Sequence, residues 1–313
     1  MDSEYVFEAF DESHYSKFNK LYENAFGKKM PITEFKKRFD TQALGFKFVG
    51  YLALLRNTGE AVSFYGVFPL KIRIGESDFA AAISGDTMTH KNHRRKGLFR
   101  GLAGMTYQKC RELGFVMIYG FPNQQSYHGF VHSLDWKHVN DLIEWNLSFR
   151  FKISPLHKFL KRANYLFPLF NSYAHRVLKK YMVSDINSFD NSNGDKYGIV
   201  SRNDHYIHYK QSKERIFIKI ESVIVWIRLS DVLWIGDFSD LGQVNKIVVS
   251  KLKHIAKLLG YNTIRYAINK EIAIPESMLD FKPGVNIPTC ILFLEKKFGY
   301  QSFLFTPADF DTW

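Results

Sequence analysis

One stretch constrains this chain more than any other. Phe79-Ala80-Ala81-Ala82-Ile83-Ser84-Gly85-Asp86-Thr87-Met88 is largely apolar, and a basic run, His93-Arg94-Arg95-Lys96-Gly97, follows shortly after it. Leu98-Phe99-Arg100-Gly101-Leu102-Ala103-Gly104-Met105 then continues with helical spacing. The order reads as strand, basic glycine turn, helix, and it predicts an α/β fold. The first N–H groups of a helix lack intrahelical acceptors and carry partial positive charge. A phosphate binds well at such an end, and flanking Arg and Lys add charge-assisted hydrogen bonds. The alternative is a solvated basic turn that merely starts a helix. The surrounding sequence favours the first reading.

Thr87-Met88-Thr89-His90-Lys91-Asn92-His93-Arg94-Arg95-Lys96-Gly97-Leu98-Phe99 resembles the acyl-CoA-binding motif of the GNAT acyltransferase superfamily, Arg/Gln-x-x-Gly-x-Gly/Ala after a strand. Arg94 and Gly97 match, while Phe99 stands at the second small position. Tyr119-Gly120-Phe121-Pro122-Asn123-Gln124-Gln125-Ser126-Tyr127 resembles the family's later strand-Asn-helix element. Leu134-Asp135-Trp136-Lys137 resembles its closing Leu-Gly-Phe/Trp, with Asp135 in place of Gly. The resemblance spans roughly residues 5–150. It implies that Met88, Thr89, Arg94, Arg95, Lys96, Gly97, Leu98, Phe99 and Asn123 contact acetyl-CoA or another acyl-CoA. The family's general-acid Tyr falls on Phe130-Val131, leaving Tyr127 as the nearest phenol.

Along the chain, 13–22 and 31–39 read as helices, and 50–55 and 61–68 as strands about a Thr58-Gly59 turn. Lys71–Ile74 is a further alternating stretch, 98–113 a helix capped by Gly114, and 115–119 a buried strand. After residue 200 the pattern recurs: strands at 215–220, 223–228, 233–238 and 263–267, a helix at 244–259, and strands at 290–294 and 303–305 that would close a second sheet. The expected fold is thus a mixed, mostly antiparallel sheet flanked by helices, in two tandem domains. The boundaries are 1–150 for the acyltransferase domain, 151–195 for a basic connector and 196–313 for a degenerate second domain. The second loop, Asp237-Phe238-Ser239-Asp240-Leu241-Gly242-Gln243, carries acids where a pyrophosphate needs cations, so this half is not expected to bind CoA.

With 313 residues, 46% of them hydrophobic, the chain can bury two cores. No window approaches about 20 uninterrupted apolar residues. Met1-Asp2-Ser3-Glu4 lacks the features of a secretory leader, and the only cysteines are Cys110 and Cys290, so a reducing, cytoplasmic setting is expected. The net charge of +12 suits phosphorylated ligands, anionic lipid or nucleic acid, but no nucleic-acid motif accompanies it. Residues 145–184 hold eight Lys and Arg and no acid, from Arg150 to Lys180, which suits either a solvated connector or a peripheral contact with an anionic membrane through 150–180.

The expected activity is acyl-CoA-dependent N-acyltransfer, most simply acetylation, of a primary small-molecule amine held between the two domains. Asp86, on the strand that the resemblance places beside the thioester, is the candidate general base. Tyr127 and His128 are the other candidates for proton transfer. His128 and His132 lie at helical spacing, but nothing specifies a third ligand, so no metal is expected. Asp309 and Asp311 read as a solvated terminus, the alternative being a site for a cationic amine if the tail folds back. The alternatives are a catalytically silent acyl-CoA-binding or scaffold protein, or a basic membrane-surface or nucleic-acid binder.

Overall fold

The computed structural model describes residues 4–149, 167–184, 186–189 and 196–312. About half of the expected connector 151–195, namely 151–166, 185 and 190–195, lies outside the described residues, as does residue 150. Contacts divide the chain into two units, Met1–Val139 with Thr289–Gln301, and Asn140–Pro288 with Ser302–Trp313.

The first unit contains β1 (Tyr5–Ala9), α1 (Tyr15–Phe26), α2 (Ile32–Phe39), β2 (Gly50–Leu55), β3 (Ala61–Ile74), β4 (Ser77–Thr89), α3 (Leu98–Glu112), β5 (Met117–Gly120) and α4 (Gln124–His128). It also holds the first residues of β6 (Lys137–Ser148). The strands run β1-β2-β3-β4-β5, antiparallel except for the parallel pair β4 and β5. Successive strand residues face opposite sides of a sheet, and β3 shows the consequence. Phe64 packs among the rings of Phe10, Phe18 and Phe39 on the side of α1 and α2. Tyr65 enters the other core, with Leu98, Leu102 and Tyr107 of α3. The sheet therefore carries helices on both faces.

β3 is one strand through Pro69, not two stretches separated near residue 69. Pro69 pairs with Ala82, beyond the last β2 pair, Gly50 with Gly66. There a missing N–H costs no ladder bond with β2.

The second unit contains the rest of β6, α5 (Phe167–Leu178), β7 (Gly198–Val200), α6 (Asp204–Lys210), β8 (Arg215–Ile220), β9 (Val223–Leu229), β10 (Leu233–Phe238), α7 (Lys246–Leu258), β11 (Thr263–Asn269), most of β12 (Lys282–Phe293) and β13 (Phe303–Leu304). Its sheet runs β6-β11-β10-β9-β8, with β10 and β11 parallel. Val248, Leu252 and Ile255 of α7 close a core with Ile227, Ile235 and Ile264.

The division does not follow the boundaries near 150 and 195. β6 pairs with β11 from Leu142 to Ser148, so it belongs to the second unit from Asn140 onward. The end of β12, Cys290–Phe293, pairs antiparallel with β5 and closes the first sheet, not the second. Cys290 is buried in the α3 core, which explains that choice. The tail also departs from expectation. β13 pairs with β7, and Asp309 is buried against Arg202 with two Nη2 contacts of 2.9 and 2.8 Å.

Candidate active site

β4 and β5 are in register only at Ala81–Met117, Ala82–Ile118 and Ile83–Tyr119. β5 ends at Gly120, whereas β4 continues to Thr89, so the two strands part beyond Ile83. α3 begins just past the carboxyl end of β4, and α4 just past that of β5. Because the strands are parallel, both helix starts lie on the same side of the sheet, where open α/β sheets form ligand crevices.

The basic turn forms one lip of this crevice. Gly97 is the N-cap of α3, has φ +78° and supplies no side-chain cap. The first N–H groups of this 15-residue helix therefore have no side-chain cap. Asn123 caps α4, Asn203 caps α6 and Asn245 caps α7, whereas α1 and α2, like α3, have no side-chain cap. Arg94 and Arg95 are exposed, and Arg95 sits at φ +63°. Lys96 contacts Glu4 at 3.0 Å and lies over the Tyr5 ring. This contact holds the Glu4 carboxyl below its usual range.

Phe99 does not project from the turn as an isolated bulk. Its ring lies 5.5 Å from that of Tyr65 and 5.8 Å from that of Phe130. A Cβ on Gly129 would meet the Phe99 ring at 3.3 Å. The large residue on α3 is therefore matched by a glycine in the π turn Gly129–Ser133 that follows α4. Asp135, standing where the resemblance expects Gly, adopts φ +57°, a left-handed conformation that Asp tolerates better than most residues.

β4 carries a bulge here. Gly85 pairs with Gly66 and Met88 with Phe64, so Asp86 and Thr87 together oppose Tyr65. Asp86 takes the left-handed position, φ +52°. Its carboxylate is gripped by two donors of Arg38, Nε and Nη2, the latter at 3.0 Å. Arg38 also lies over the Phe68 ring. No spacing or motif pointed to this partner. A bidentate guanidinium stabilises the carboxylate form and weakens it as a proton acceptor. Met88 is buried, and its carbonyl accepts from Ser63 Oγ at 3.2 Å. Thr89 uses its hydroxyl on the same Ser63, at 2.8 Å. Leu98 is buried in the core, so only its backbone faces the turn.

Asn123 Oδ1 accepts from the N–H groups of Gln125 and Ser126, each at 3.0 Å, which commits that oxygen to the cap. Tyr127, partly buried, has its hydroxyl 2.9 Å from His138 Nδ1. His138 lies on β6 within the first unit, and no sequence spacing linked it to Tyr127. His128 is exposed, and its ring lies 4.6 Å from that of His132, tilted by 44°. Among the described residues, no three His, Cys, Asp or Glu side chains are grouped to hold a metal ion.

Beneath the crevice runs a buried hydroxyl chain. Ser84 Oγ donates to Tyr65 Oη at 3.2 Å, the two phenols of Tyr65 and Tyr107 meet at 2.7 Å, and Trp136 Nε1 donates to Tyr107 at 2.8 Å. Burial pushes both phenols well above their ordinary range. They are therefore structural donors rather than proton-transfer groups near neutral pH. A hollow of about 280 Å³ lined by Phe46, Val49, Lys109 and Leu113 lies at the opposite end of α3. A 15-residue helix spans roughly 22 Å, which separates that hollow from the turn.

The GNAT acetyltransferase domain profile matches residues 7–139. Comparison with curated proteins finds no sequence relative. Among solved structures, a GCN5-related N-acetyltransferase from Kribbella flavida aligns over 93% of this chain and 71% of its own, at 10% identity and TM-score 0.59. A conserved protein of Enterococcus faecalis aligns over 94% and 73%, at 12% identity and TM-score 0.61. Eis1 of Mycobacterium abscessus aligns over 94% and 74%, at 8% identity and TM-score 0.55. These likenesses show a shared fold across both units. Residues 7–139, which hold the uncapped basic turn and the parted β4 and β5, match the acetyltransferase (GNAT) domain model.

Proposed function

We propose that the first unit transfers an acyl group, most simply acetyl, from an acyl-CoA to a primary amine. The observation that carries this reading is the uncapped start of α3 behind exposed Arg94, Arg95 and Lys96, beside the unpaired edge of β4. The residues present suit an acyl-CoA. The α3 N–H groups and the three cations meet the charge of a pyrophosphate, with Lys96 exchanging Glu4 for phosphate. Beyond Ile83, the free edge of β4 offers backbone N–H and C=O groups to the amides of the pantetheine arm. When bound, acyl-CoA supplies an activated thioester carbonyl.

As the new C–N bond forms, the amine nitrogen loses a proton to solvent water. As the C–S bond breaks, the sulfur gains one. In this reading Tyr127 Oη delivers the second proton and His138 Nδ1 returns one to the phenol, a role supported by their 2.9 Å hydrogen bond. Asp86, held by Arg38, fixes the bulge of β4 rather than accepting the amine proton.

Release of CoA thiol with a panel of primary amines tests the activity. Tyr127→Phe is expected to lower kcat by about 10²–10³-fold with acetyl-CoA affinity retained. Tight acetyl-CoA binding with no thiol release for any amine would instead identify a silent acyl-CoA-binding protein.

A further inference from the structure

α5 and α7 lie on one face of the second unit's sheet. Phe170, Ala174 and Leu178 of α5, and Val248, Leu252 and Ile255 of α7, enter the same core. The helices meet where Tyr173 Oη donates to the Leu258 carbonyl at 2.9 Å. Their other sides therefore point together away from the sheet.

That outer side is unusual in two respects. Neither helix contains an Asp or Glu, although solvated surfaces ordinarily intersperse both signs of charge. Exposed Arg176, Lys179, Lys180, Lys246, Lys251 and Lys257 lie on or directly after these helices. Large apolar side chains stand among them: Leu169 is 63% exposed, Ile247 53%, Tyr173 43% and Leu258 42%.

We propose that this face docks on an anionic lipid bilayer, α5 and α7 lying parallel to the surface. The cations face lipid phosphates, and Leu169, Tyr173, Ile247 and Leu258 enter the headgroup layer. Charge complementarity selects an anionic partner, and the aliphatic side chains select lipid over nucleic acid. A phosphate backbone rewards the lysines but leaves Leu169 and Ile247 without apolar cover. No helix among the described residues is long and apolar enough to cross a membrane, so the contact is peripheral. This inference is independent of the acyl-transfer site.

Flotation of the full chain with vesicles tests it, comparing phosphatidylcholine alone with a mixture holding about a third of phosphatidylglycerol. The chain is expected to float only with the anionic vesicles. Replacing Lys246, Lys251 and Lys257 together with Ala should weaken partition about 100-fold, near fivefold per charge. Leu169→Ser with Ile247→Ser should weaken the binding that persists when salt screens the charges. A melting temperature within a few degrees of the parent certifies that each variant is folded. Three results would overturn the proposal: no flotation with anionic vesicles, flotation unaffected in both folded variants, or tighter binding to duplex DNA than to vesicles at equal salt.

Discussion

At the scale of single residues, the phosphate turn and Asp86 make contrasting demands. Arg94 and Lys96 are exposed, so their loss barely touches the fold. Replacing both with Ala should weaken acetyl-CoA binding by about 30–1,000-fold, with an unchanged melting temperature, as calorimetry and a thermal scan will read. Asp86 behaves oppositely. Its side chain is 9% exposed and that of Arg38 19%. Asp86→Asn leaves the guanidinium short of a partner and should lower stability by about 1–3 kcal/mol. The shape of the pH–rate profile should stay as in the parent. A stable Asp86→Asn protein slowed more than 100-fold, with the acidic limb of its profile altered, would return the base role to Asp86. The start of α3 at Gly97 was legible in sequence because turn chemistry is local. Arg38 beside Asp86, and His138 beside Tyr127, were not. Each pair forms only when separate elements meet, and no periodicity encodes that meeting.

At the scale of elements, the instructive case is the C-terminal segment. Arg202 reaches Asp309 through Nε and Nη2, Thr306 through Nη2 and Asp237 through Nη1, and all four residues are buried. Two buried carboxylates share one guanidinium. Burial outweighs Arg202 and raises the Asp309 carboxyl above its usual range. A raised folded value means that this group's favourable contribution is present below the unfolded carboxylate range and lost as pH rises through the folded value. Acid therefore does not release the tail through Asp309. Arg202→Met should, by leaving both carboxylates uncompensated, at a cost of about 3–5 kcal/mol in denaturant unfolding. In the 237–243 loop, whose acids were expected to repel a pyrophosphate, those acids have partners of their own. Asp237 is neutralised in the core, Asp240 accepts from Gly242 N–H, and Asn245 fills the α7 start that a phosphate would need.

At the scale of the whole molecule, the buried phenols and thiol of the first unit set an alkaline limit. Burial holds Tyr65 and Tyr107 well above the ordinary phenol range and pushes the Cys110 thiol up to about 12. For these groups the stabilisation is complete below the unfolded values and is lost as pH rises. The melting temperature should begin to fall near pH 9, where an unfolded thiol ionises, and more steeply near pH 10, where unfolded phenols do. A thermal scan flat from pH 7 to beyond 10 would contradict this. The sequence by itself determined the α/β class, the strand–turn–helix around Gly97, and the recurrence of sheet and helix after residue 200. These rest on periods of two and 3.6 and on glycine and asparagine at chain reversals, all readable over a dozen residues. Tertiary structure alone decided that Cys290–Phe293 completes the first sheet, that Asp309 is buried, and that Gly129 makes room for Phe99. Strand pairing and side-chain fit join residues far apart in the chain, and which partner wins depends on the shape left after the local elements have packed.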